Sequence, residues 1–106
     1  MIKKTLFTLF LFVATIVLSQ EKTIENLSTA PNPFKQNTNI SFKVNTASTV
    51  TLLVKNVLGK TVFKKKIKTK VGKNTIPFFK DDLATGMYIY SIQNVEKIVA
   101  KRFVIQ

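Results

Sequence analysis

Between Thr38 and Val44 the chain alternates without a break. Thr38, Ile40, Phe42 and Val44 fall on one side, and Asn39, Ser41 and Lys43 on the other. A period of two predicts a strand with one buried and one wet face. The signature recurs along the chain. Val50, Leu52 and Val54 share a face within a strand over residues 49–57. Leu58 to Lys60 then makes a tight turn, where Gly59 supplies the positive φ such turns need. The return strand runs from Thr61 to Val71, with Phe63, Ile67 and Val71 facing inward and Lys64, Lys66, Lys68 and Lys70 lining the opposite face. Gly72 turns the chain again. Asn74 to Phe79 is a short strand, and its Pro77 cannot donate to a ladder, which assigns it to an edge or a bulge. Met87 to Ile92 is apolar on both sides, as in a central strand. Asn94 to Lys97 turns the chain into a last strand, Ile98 to Ile105. A weaker strand signal covers Ile24 to Leu27.

No amphipathic helix, Gly/Ser linker or internal repeat interrupts this series. Short strands spaced by turn chemistry predict an all-β fold, a small immunoglobulin-like antiparallel β-sandwich of about seven strands. Ahead of the first clear strand stands "APNPF". Its prolines limit φ, and Pro33 disfavours helix at Asn32. The chain is thereby held in an extended or turn geometry from which Phe34 can tuck against the edge of the sandwich.

The N-terminus has a different character. Lys3 and Lys4 precede an apolar run, Leu6 to Leu18, that falls short of the roughly 20 residues needed to span a bilayer. Val17 and Ser19 fit the small-residue positions of a cleavage site. The predicted organisation is therefore a cleaved signal peptide over residues 1–19, a short N-terminal segment over 20–30 and a β-domain over 31–106. Signal peptidase and the general secretion machinery are the implied first partners. Cleavage removes two lysines and no acid, so the formal charge falls from +12 to +10. The chain has no cysteine. An exported domain of this size must then hold together by packing and strand pairing alone.

Candidate chemistry is sparse. Without histidine or cysteine, the usual nucleophile–base pairs and most transition-metal ligand sets are missing. Asp81 and Asp82 are adjacent carboxylates. Calcium needs six to eight oxygens, and this loop offers few, so a polar turn explains the pair better. No catalytic residue, metal or cofactor is assigned. The row Lys64, Lys66, Lys68 and Lys70 has two readings. It is either a patch for an anionic glycan or lipopolysaccharide, or a solvated face that guards a sheet edge against pairing. Nucleic-acid modules interleave stacking aromatics with their cations. The nearby Phe63, Phe78 and Phe79 read as core or near-core, and an exported chain has little access to nucleic acid. Tyr88 and Tyr90 share a strand face, where carbohydrate stacking competes with a place in the core.

Taken in order, "APNPF" with "TNISFKV", "VTLLVKNVLGKTV", "GMYIYSI" and the terminal "AKRFVIQ" resemble the C-terminal sorting domain of type IX secretion in Bacteroidota, over roughly residues 25–106. The resemblance implies a non-enzymatic β-sandwich that targets an exported protein to an outer-membrane translocon. Surface display or release would follow periplasmic transit; in many members a sortase-like peptidase removes the domain, and the cargo is released or joined to lipopolysaccharide. Matched to the family's motifs, the recognition candidates are Pro31, Asn32, Pro33, Gly59, Gly86, Tyr88 and Lys101. The sequence departs from the family in two respects: its middle connection "FFKDDLATG" is shorter than in many members, and little precedes the domain. Only residues 20–30 separate the expected cleavage from Pro31, where members usually carry a large passenger. A stand-alone secreted module that uses its lysine face is the alternative reading.

Overall fold

The computed structural model describes residues 22–106, so the predicted signal peptide over residues 1–19 lies outside the described part. Within it the chain forms seven strands and no helix: β1 (Ile24–Ala30), β2 (Asn37–Val44), β3 (Thr49–Lys55), β4 (Thr61–Lys68), β5 (Gly72–Phe79), β6 (Gly86–Gln93) and β7 (Ile98–Ile105). All strand pairs are antiparallel. One sheet has the order β1-β2-β5 and the other β4-β3-β6-β7.

The alternation in the sequence becomes burial. Thr38, Ile40, Phe42 and Val44 of β2 are buried, as are Val50, Leu52 and Val54 of β3. Ile76 and Phe78 of β5, Tyr88, Tyr90 and Ile92 of β6, and Phe103 and Ile105 of β7 complete the same core from both sheets. Phe103 is its aromatic hub. Its ring centroid lies 5.2 Å from Phe34, 5.3 Å from Phe78 and 5.3 Å from Tyr90. Full burial of one such side chain contributes about 1.5–3 kcal/mol, which makes these few rings a large part of what holds so small a domain. Hydrogen bonds between the strands add to this. Thr69 donates its backbone N–H (2.8 Å) and hydroxyl (2.9 Å) to the Ser48 carbonyl, which ties the end of β4 to the start of β3.

Several expectations are corrected. The strand expected over residues 49–57 ends at Lys55. The return strand ends at Lys68, short of Val71, and Val71 is 65% exposed rather than inward. The physical reason is the crossover. After Thr69 the chain leaves one sheet for the other, and Gly72 (φ 101°) starts β5 in a new phase. Phe79, read as near-core, is 54% exposed on the outer side of β5. β6 is interior to its sheet, flanked by β3 and β7, yet Met87 and Ile89 lie exposed on its outer side. Pro77 lies on β5, which is an edge strand as expected.

β1 is longer than the sequence signal. It pairs with β2 from Ile24 to Ala30, with a bulge between Glu25 and Ser28 where Asn26 takes φ 56°. The bulge lets Ile24 and Leu27, three positions apart, both reach the core. It also disrupts the period of two that would have revealed the strand.

Candidate functional site

The motif segments collect at one end of the two-sheet body. The β3–β4 hairpin, the β5–β6 connection, the carboxyl end of β7 and the Pro31–Phe34 segment all lie there, because Lys55 pairs with Thr61, Gly86 pairs with Ile105, and Asn37 pairs with Phe79.

Pro31–Phe34 runs beside β7 in the parallel sense, with Phe34 opposite Ile105. Phe34 donates its N–H to the Val104 carbonyl at 3.0 Å and accepts from the Gln106 N–H at 2.8 Å. The Asn32 side chain extends this pairing. Its Oδ1 accepts from the Val104 N–H at 3.0 Å, and its Nδ2 donates to the Arg102 carbonyl at 3.2 Å. The Pro31 carbonyl accepts from the Thr38 hydroxyl at 2.7 Å. Both peptide bonds preceding the prolines are cis. Phe34 is buried against Phe78 and Phe103, while Pro31, Asn32 and Pro33 stay exposed. The upper part of the last strand therefore has no open edge.

Gly59 has φ 83°, the left-handed region that favours glycine. The hairpin it closes is organised by Asn56, which sequence reasoning missed. The Asn56 Oδ1 accepts from the N–H groups of Leu58 and Lys60, each at 3.0 Å. Asparagine opening a turn is a legible signal, since its side chain mimics a turn of backbone. Val57 and Leu58 project from the tip, 66% and 89% exposed.

Gly86 opens β6 at φ 144°. Two residues later Tyr88 is buried, and its hydroxyl donates to the Ala84 carbonyl at 2.7 Å. This bond pins the β5–β6 connection to the start of β6. A shallow groove lies between that connection and the hairpin tip, lined by Val57, Leu58, Ala84, Gly86, Met87 and Tyr88. Tyr90, one pair further along, belongs to the core. Burial pushes its phenol above the ordinary value, an effect partly offset by the neighbouring Thr29 hydroxyl.

The remaining candidates lie elsewhere. Lys101 is paired with Tyr90, away from the end cluster. It alternates with Val99 and Phe103 on the core-facing side of β7 yet is exposed. Lys65 does the same on β4 between Phe63 and Ile67. β4 and β7 are the two outer strands of their sheet, and a charge turned inward on an outer strand opposes pairing with another chain. Lys64, Lys66 and Lys68 line the outer face of β4, opposite Leu53, Thr51 and Thr49. Lys70 falls past the strand end, where its N–H donates to Asn74 Oδ1 at 3.1 Å. The row expected to hold four lysines thus has three on the strand. Asp81 sits in a turn at φ 48°, a conformation aspartate tolerates. Among the described residues no group of three or more acids could hold a metal ion.

The arrangement presents two loops, the Pro31–Phe34 segment and a strand end on one surface. No curated protein matches the chain. Residues 28–106 match the family model described as the secretion system C-terminal sorting domain. That span begins within β1 and reaches the last residue, so it takes in every segment of the end cluster; the chain belongs to the family of type IX secretion C-terminal sorting domains.

Proposed function

We propose that the chain is a non-enzymatic address that carries an exported protein to the type IX outer-membrane translocon, for display at the cell surface or release. The observation that carries this reading is the convergence of Pro31–Phe34, the Gly59 hairpin, the Gly86–Tyr88 strand start and the end of β7 on one surface. Segments far apart in sequence meet there, so recognition would read a folded end rather than a linear tag. Pro31, Asn32 and Pro33 are the exposed candidates for direct contact. Gly59, Gly86 and Tyr88 shape the surface, and Lys101 guards the strand that ends in it.

The route begins with a signal peptide over residues 1–19, read by the general secretion machinery and cut by signal peptidase. The β-domain then transits the periplasm and engages the translocon, where a sortase-like peptidase is the further partner that the family implies. The sandwich is immunoglobulin-like in this reading. Its strand order matches the A-B-E and C′-C-F-G sheets of that architecture, and the Tyr88–Ala84 bond has the place of a tyrosine corner at the start of strand F.

The experiment is a fusion of residues 20–106 behind an exported fluorescent reporter in a host with the translocon. Fluorescence outside the cell, lost on deletion of residues 98–106, is the expected result. Retention in the periplasm, or release that survives the deletion, overturns the reading.

A further inference from the structure

The outer faces of the two sheets differ in kind. On the three-stranded sheet the outward positions include Glu25, Asn39, Ser41, Lys43, Lys73 and Thr75, a polar surface with Phe79 at its end. On the four-stranded sheet, Met87 and Ile89 of β6 and Val104 of β7 stand 40%, 42% and 36% exposed. Met87 pairs directly with Val104. Ile89 is flanked by Lys55 on one side and Arg102 on the other. One pair further along, Leu53, Ser91 and Ala100 lie across the sheet from Lys64. The result is an apolar centre with cations on both flanks. β3, β4, β6 and β7 contain no carboxylate at all.

We propose that this face is a docking surface for an acidic protein partner, one that presents an apolar patch bordered by aspartate or glutamate. The inference rests on the sorting reading and adds a second contact face to the end cluster. Three observations select the occupant. A second copy of the chain would bring the same uncompensated cations against these, and like charges facing one another disfavour association. A membrane surface fits poorly, because the apolar centre has none of the Trp or Tyr that favour the interface. The face is also continuous with the recognised end, since Met87 lines the groove beside the Val57–Leu58 tip. A partner seated on the sheet therefore reaches the end cluster without a gap.

The test uses the reporter fusion with three sets of substitutions. The first replaces the apolar centre, Met87→Thr with Ile89→Thr and Val104→Thr; threonine suits strands, so the fold should hold. The second reverses the flanks, Lys55→Glu with Arg102→Glu, and stands alone should the first melt early. The third, Lys43→Gln with Thr75→Ala, alters the opposite face as control. Thermal melting of each purified domain verifies folding, and flotation with phosphatidylglycerol vesicles measures lipid binding. Extracellular reporter should fall at least about tenfold for the first two sets and stay unchanged for the third, as expected when central contacts of an interface are lost. Release of both altered faces at the wild-type level overturns the inference and leaves the sorting reading standing. Retention of the wild type itself removes the sorting reading, and the inference with it. Vesicle binding by the wild type that both altered faces lose makes a lipid surface the occupant and overturns the protein partner.

Discussion

Asn32 holds β7 by both ends of its side-chain amide: Oδ1 accepts from the Val104 N–H at 3.0 Å and Nδ2 donates to the Arg102 carbonyl at 3.2 Å. The pairing links positions 70 and 72 residues apart. Asn32→Ala removes both bonds at an exposed site. The domain should lose about 1 kcal/mol, the net value of a modest hydrogen-bond change. Hydrogen exchange at the Val104 amide should quicken more than exchange on β2. Equal protection of Val104 in both proteins contradicts this role.

Tyr88→Phe keeps the buried ring and deletes the bond to the Ala84 carbonyl. The expected loss is about 1–2 kcal/mol by denaturant titration, since the carbonyl is left to find water in a partly buried corner. The loop over residues 80–85 should become more susceptible to proteolysis while the core keeps its protection.

Phe103 is fully buried and touches four other aromatic rings. Phe103→Ala should cost about 3–5 kcal/mol through lost burial and the cavity left behind. Small domains have roughly 5–15 kcal/mol in all, so this substitution should leave the protein largely unfolded at modest denaturant concentration. Equilibrium unfolding followed by far-ultraviolet circular dichroism measures it.

Tyr90 titrates above its ordinary value because burial disfavours the phenolate. The unfolded chain then releases this proton at about pH 10, before the folded one does. The sign follows from linkage. The contribution is fully present below about pH 10 and is lost as pH rises from there toward the folded value. Tyr90→Phe should therefore show a shallower loss of stability on the alkaline side, in melts taken from pH 8 to pH 11. Parallel curves for the two proteins contradict the assignment.

β2 and β3 were legible because each buries one face and wets the other, so Ile40 and Val50 announce themselves by spacing alone. β1 was faint because the bulge at Asn26 puts Ile24 and Leu27 three apart. Val71 was misplaced because periodicity says nothing of where a chain changes sheet. Met87 and Ile89 read as buried because an apolar position has the same letter whether it faces a core or solvent. The family motifs were legible one by one. Their meeting at one end was not, since the bonds from Asn32 to β7 span almost the whole domain and leave no local trace.

As an address read by the type IX translocon, this chain should need that translocon to leave the periplasm. The ratio of extracellular to periplasmic reporter, for the residue 20–106 fusion in a translocon-competent host and in an isogenic host lacking the translocon, tests it most directly. Reporter should appear outside the first host and stay confined to the periplasm of the second. Equal ratios in the two hosts would contradict it.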